Sequence, residues 1–275
     1  MIATTLAIAA AAAAAPAPVP ADAYGIATRI ASWGPRPAAS AGEAKAQRLV
    51  RRAFREARLR VGVQEFRVPG KGTSRNVIGV YDTPRSCLRI VMAHSDSLPP
   101  APGANDNASG IGVVAELAGR LKLIKPRCDV WLVATGAEER GYTGSPDHLG
   151  ALRLARRARA HHAKKRLRWA LSLDEVGRDY PFWLRSPASA PRRRVEGALS
   201  TAAARVGTQV TWVRDEDTGN SDHREFELLG LPAAKLGVGA GGEPCRHMRC
   251  DTPSRLERGP VIAARRMVAA ALRAR

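Results

Sequence analysis

The chain has 275 residues, 45% hydrophobic and 25% charged, the proportions of a folded globular protein rather than a disordered one. Its longest largely apolar run, Ile2 to Ala15, is too short to cross a bilayer, and no heptad, collagen or 20–50-residue repeat occurs, which excludes membrane-embedded, fibrous and solenoid proteins. The net charge of +19 leaves two readings, a solubilising solvated face or a polyanion site; the absence of a zinc-finger, RRM or helix-turn-helix signature speaks against a specific nucleic-acid partner.

Leu6 to Ala15 has the length of an export-signal core, and Ala21-Asp22-Ala23 offers the small residues that a signal peptidase takes, although no basic residue precedes the run. Residues 1–23 are therefore expected to be a signal peptide and Tyr24 the first mature residue, placing the protein in a secreted or otherwise extracytoplasmic setting. Residues 24–275 contain no dividing linker and are expected to form a single domain.

Ser40 and Glu43 form a capping box ahead of Ala46, Leu49, Val50, Ala53, Phe54 and Ala57 at helical spacing. Val61 to Val68 and Asn76 to Tyr81 read as strands joined by a turn at Gly70 to Gly72. Leu88 to Ala93, Val130 to Thr135 and Trp169 to Leu173 are continuous apolar runs, the pattern of strands covered on both faces. Ile111 to Leu123 reads as a helix capped near Asn107 or Ser109. Asp147 to Lys165 reads as a basic amphipathic helix and Val195 to Val206 as another. Val210 to Val213 and Leu231 to Gly237 are further strands, and a helix from Pro260 to Ala274, with proline in its first turn, closes the chain. Strands alternating with helices predict an α/β fold with three layers, a mostly parallel central sheet between helical layers.

Four cysteines fit an oxidising compartment and two disulfides. Three pairings are possible; Cys245–Cys250, five residues apart, and Cys87–Cys128, both at strand starts, are favoured. No CxxC pair exists to hold a zinc–thiolate site.

The chemistry sits beyond three strand ends. His94-Ser95-Asp96-Ser97 follows the first buried strand, Glu138-Glu139 the second and Asp174-Glu175 the third, while Asp106 opens the helix that follows the first. In open α/β sheets ligands bind outside the carboxyl ends of the strands, so these groups are expected to share one crevice. Each has a bland alternative: a lone histidine is usually a loop hydrogen-bonder, paired glutamates are usually solvated, and an aspartate at a helix start is usually a cap. Together they would repel strongly unless a cation neutralised them, and a pair of divalent metals is the simplest neutraliser.

The blocks HSDSLPPAPGANDNASG (94–110), TGAEERGYTGS (135–145), LDEVG (173–177), SDHREF (221–226) and CRHMRCDTP (245–253) resemble the M28 zinc aminopeptidases, in the family's order. The resemblance implies the zinc-dependent exopeptidase (phosphorylase/hydrolase-like) fold and a co-catalytic dizinc centre, with Co2+ or Mn2+ as possible substitutes for Zn2+. Asp106 matches the bridging carboxylate, His94 and Asp174 the other ligands of one ion, and Glu139 and His247 those of the second. Glu138 matches the general base and Asp96 the carboxylate that fixes the His94 ring. His223 matches a supporting, substrate-side motif and is the competing candidate for the His247 position. In this chain Arg246 stands where relatives commonly carry an aromatic residue, and Glu175 where many carry Met. Glu175 is expected either to face outward or to tilt preference towards basic or polar N-terminal residues. His148, His161 and His162 are expected to be solvated.

The activity implied is hydrolysis of the N-terminal peptide bond of peptides with a free N-terminus, by a monomer. The alternatives are glutaminyl cyclase-like or carboxypeptidase activity on the same fold, or a catalytically silent basic polyanion-binding protein.

Overall fold

Within β3 (Cys87–His94), Val91 and Ala93 point into one apolar cluster and Leu88, Ile90 and Met92 into another; β4 (Asp129–Thr135) divides its side chains in the same way. Alternate side chains of a strand face opposite sides, so an unbroken apolar run requires cover on both. The computed structural model, which describes residues 22–274 except 163, 179–180, 188–192, 216–218 and 239–242, supplies that cover with helices on both faces of one sheet.

The remaining strands are β1 (Arg60–Val68), β2 (Gly72–Tyr81), β5 (Arg166–Asp174), β6 (Phe182–Pro187), β7 (Val210–Asp215) and β8 (Ala233–Gly237). Their order is β1-β2-β4-β3-β5-β8-β6-β7. The central four, β4-β3-β5-β8, are parallel; β1 and β2 form an antiparallel hairpin on one flank, and β6 runs antiparallel to β8 on the other. The chain leaves β3 to one side for β4 and returns to its other side for β5. That reversal opens a crevice beyond the carboxyl ends of these strands.

One helical layer contains α1 (Ala23–Ala31), α2 (Ala41–Glu56), α3 (Gly110–Ile124), α6 (Arg193–Arg205) and α8 (Arg258–Arg273). The other contains α5 (Leu149–His162) and α7 (His223–Leu228), with Leu154, Ala158 and Phe226 against Ile90 and Val133. A single turn, α4 (Arg140–Thr143), lies between β4 and α5. The expected capping residue Ser40 accepts from the Glu43 N–H, but the Glu43 carboxylate reaches Ala39 N–H, Ser74 Oγ and Ala137 N–H, tying α2 to the segment that carries Glu138. At α3 the capping acceptor is the Asn107 side chain, bonded to Gly110 N–H.

Both favoured disulfides are present: Cys87–Cys128 joins the starts of β3 and β4, and Cys245–Cys250 closes a short loop. The expected signal concerns residues 1–23, of which 1–21 lie outside the described residues. Asp22 accepts from Gly25 N–H as the cap of α1, and Ala23 is that helix's first residue, its N–H donating to Glu116. Four labelled elements go beyond the sequence reading: α1 itself, α4, β6 and α7.

Gly110 starts α3 so close to the sheet that a Cβ there would lie 2.6 Å from the Leu173 carbonyl and 2.9 Å from Ala93 Cβ, both next to strand ends that carry site residues. Gly110→Ala is expected to destabilise the fold by about 1–3 kcal/mol, the usual range for overpacking. Urea unfolding reads this as a lower midpoint at unchanged slope; an unchanged midpoint would show that the contact relaxes at no cost.

Candidate metal centre

His94 and Asp174 are the last residues of neighbouring parallel strands, β3 and β5, so their side chains meet at the mouth of the crevice. Asp106 comes from the irregular turn Ala104–Ser109 ahead of α3, whose Asp106–Asn107 peptide is cis. Side chains fasten that turn at several points. Asp251 accepts from the N–H groups of Asn105 and Asp106, Asn107 donates to the Leu173 carbonyl, and Asn105 accepts from Gly177 N–H. Glu138 and Glu139 follow β4, and both backbone N–H groups donate to the Asp96 carboxylate at 3.2 and 3.1 Å.

Nε2 of His94 lies 3.1 Å from one oxygen of Asp106 and 3.5 Å from Asp174. On the other side, His247 Nε2 lies 3.2 Å from the second Asp106 oxygen and 3.1 Å from Glu139. Asp106 thus stands between two imidazoles, each accompanied by a further carboxylate. His94, Asp106 and Glu139 offer ligand atoms within 4.8 Å of one another, and so do His94, Glu138 and Asp174. The histidines and carboxylates that converge here are a donor set suited to borderline divalent ions such as zinc. Asp174 Oδ1 is buried with no hydrogen-bond partner, an orphaned acceptor of the kind that a cation would satisfy.

The electrostatics describe the same need. Burial, with the neighbouring Glu139, Asp174 and Asp222 charges, pushes the Glu138 carboxyl well above the ordinary carboxylate range. Burial and Asp106 raise Glu139 to about 7. Hydrogen bonds to Asp106 and Glu139 lift His247 to about 10. His94 is also raised, since Glu138, Asp106 and Asp174 outweigh the burial that opposes its charge. The surrounding carboxylates thus favour positive charge at both imidazoles.

Two further cations enter the site. Lys235, buried on β8, donates to Asp174 Oδ2 at 2.7 Å, and Arg246 grips the Glu175 carboxylate with Nε at 2.7 Å and a second contact through Nη2. Ala137, Glu175 and His247 adopt left-handed backbone angles with φ of 54°, 61° and 60°. Non-glycine residues seldom do so, and three of the six such residues among those described lie beside this cleft. Arg140, Gly141, His148 and Asn220 complete a cleft of about 230 Å³.

Several expectations change. Glu175 does not face outward: it is 1% exposed, turned inward by its positive φ and held by Arg246. His148 is not solvated either; it is buried, with Nδ1 3.1 Å from Glu225 and Nε2 3.4 Å from Glu138. His161 and His162 lie half-buried at the end of α5. His223 is directed to Asp215 on β7 at 2.8 Å rather than to the cluster, while its neighbour Asp222 accepts from Thr135 Oγ1. The Asp96 carboxylate, 3.7 Å from the His94 ring, spends its hydrogen bonds on Glu138 and Glu139, and Asp96's own carbonyl lies nearer to Nδ1, at 3.3 Å.

Sequence reasoning misses Lys235, His148 and Asp251. Lys235 carries a usable signal, a charge inside the apolar run Leu231 to Gly237 that only a buried partner could tolerate. His148 carries none, because its role depends on α7 bringing Glu225 beside it.

Residues 76–272 match the model of peptidase family M28, and the chain belongs to that family. It is 32% identical to aminopeptidase YwaD of Bacillus subtilis over 174 residues, 60% of this chain and 35% of YwaD. The chain thus spans about a third of the length of that curated relative. Among solved structures, the zinc aminopeptidase BSAP of Bacillus subtilis superposes with a TM-score of 0.79 at 20% identity, covering 93% of this chain and 95% of BSAP. The glutaminyl cyclase of Fimbriiglobus ruber superposes equally well, with a TM-score of 0.79 at 21% identity, covering 94% of this chain and 99% of that one. Both likenesses are of fold.

Proposed function

We propose that the protein is a zinc-dependent aminopeptidase that hydrolyses the N-terminal peptide bond of peptide substrates. The observation that carries this reading is the Asp106 carboxylate flanked by His94 and His247, with Glu138 beside them. His94 and Asp174 would hold one zinc ion, Glu139 and His247 the second, and Asp106 would bridge them. Bound zinc would acidify a water and polarise the scissile carbonyl.

The chain's own groups do the rest. Glu138, whose raised carboxyl suits a group that must take up and release a proton, accepts one from the attacking water and returns it to the leaving amine. His148, 3.4 Å away and anchored by Glu225, orients it. Asp96 sets the backbone of Glu138 and Glu139, so that base and ligand keep a fixed spacing. The substrate's free α-amine sits among the cleft's carboxylates, which selects exopeptidase cleavage. The disulfides support action outside the cytoplasm. Among the described residues no helix is long and apolar enough to cross a membrane.

The second reading is cyclisation of N-terminal glutamine, favoured by the equal superposition on a glutaminyl cyclase. Hydrolysis of amino-acyl nitroanilides, assayed beside a glutaminyl peptide, separates the two. The aminopeptidase reading expects amine release that stops with a chelator and returns with zinc, without pyroglutamate. Glu138→Gln is expected to lower kcat by about 10²–10⁴-fold at unchanged metal content. Pyroglutamate formation in place of hydrolysis would establish the cyclase.

Glu175 meets the substrate already compensated, because Arg246 occupies its carboxylate. Arg246→Ala is therefore expected to uncover that charge and raise the ratio of arginyl to leucyl nitroanilide turnover several-fold. An unchanged ratio would remove Glu175 from the substrate's surroundings.

A further inference from the structure

A concentration of positive charge lies at the other end of the sheet from the cleft. A cavity of about 750 Å³ is bounded by Arg89 from β3, Arg166, Arg168 and Trp169 from β5, and Arg193 and Arg194 from the first turn of α6. No aspartate or glutamate lines it among the described residues. Its volume falls within the range of small-molecule sites, roughly 300–1,000 Å³. Arg166 and Arg168 open β5 and Asp174 closes it, so at about 3.3 Å per residue the cavity lies roughly 20–26 Å from the metal centre.

Arg89 shows that this charge is built into the fold. It is 3% exposed, and its two terminal nitrogens donate to the carbonyls of Ala271, Leu272 and Ala274 at the end of α8. Its Nε is buried with no partner. Burial first, and then the Arg168 charge, lower it to about 10, and its partners are the carbonyl end of α8 and the Trp169 ring. Arg166, Arg168, Arg193 and Arg194 are exposed and make no ion pair among the described residues. Glu196, the acid in the first turn of α6, is hydrogen-bonded by Arg214 and Ser186 and feels the Arg193 charge only after them. Two cations at a helix N-terminus oppose the helix dipole, which favours anions there.

Four exposed guanidiniums from two elements line one cavity beside the positive end of a helix, and an anion among them would relieve their mutual repulsion. We propose that this cavity binds a small soluble molecule carrying two or more phosphate groups. Guanidinium forks match phosphate oxygens bidentately, and several of them around one cavity favour clustered charge over a single anion. The proposal is independent of the peptidase reading, since none of these residues belongs to the cleft.

The test is calorimetric titration of the full chain with inorganic tripolyphosphate at 150 mM salt. Saturable one-to-one binding is expected, weakened at least tenfold in the Arg166→Glu/Arg168→Glu double variant. It is expected to persist in Arg156→Glu/Arg159→Glu, which makes the same charge change on the exposed face of α5. If the first variant fails to fold, Arg166→Gln/Arg168→Gln serves in its place. Absence of saturable binding, or equal weakening by both double variants, would overturn the proposal and leave only diffuse attraction to a basic surface.

Discussion

Carboxylates converge in a buried cleft at the carboxyl ends of parallel strands, and the surrounding structure is organised by the repulsion among them. Asp106, Glu138, Glu139 and Asp174 lie against one another with little water to screen them. A charge taken out of water without a partner costs several kcal/mol, so positive charge has to be supplied from within. The protein places His94 and His247 on either side of Asp106, Lys235 on Asp174 and Arg246 on Glu175. Lys235 is the farthest-reaching of these devices, because it requires a lysine in the interior of a buried strand. A divalent pair bound among the same carboxylates would supply positive charge at the same place.

Rigidity around the cluster follows from the same constraint. Arg36, fully buried, donates to the carbonyls of Ser95, Pro102 and Gly103 and so ties the segment after His94 to the turn that presents Asp106. Asp251 holds that turn from the far side through the backbone of Asn105 and Asp106. Glu43 joins α2 to Ala137, directly before Glu138. In these contacts the side chains bond backbone groups rather than the carboxylates of the cluster. Their effect is to fix backbone positions, which keeps like charges from relaxing apart.

Much of this arrangement is legible in the chain. The three apolar runs give the central strands because burial on both faces leaves no other composition, and placing His94, Glu138 and Asp174 just beyond them follows from strand direction alone. What escapes the reading is what depends on distant partners. Asp22 caps α1, whose stripe of Ile26, Ala27 and Ile30 reveals itself only against α3. β6 is short, carries Arg185 and ends on Pro187, so its pattern is too weak to announce a strand next to β8. Glu175 looks like a solvent-facing neighbour of Asp174 until a left-handed backbone turns it towards Arg246. The charge excess is visible in composition, but its gathering into a cavity needs β3, β5 and α6 assembled.

The central claim, that Asp106 is the shared ligand of a metal pair, is tested most directly by anomalous diffraction at the zinc edge from crystals grown with zinc. The account predicts two peaks roughly 3.5–4 Å apart, one between His94 and Asp174, the other between Glu139 and His247, with the Asp106 carboxylate spanning them. Peaks away from these side chains, or a single ion that Asp106 does not touch, would contradict it.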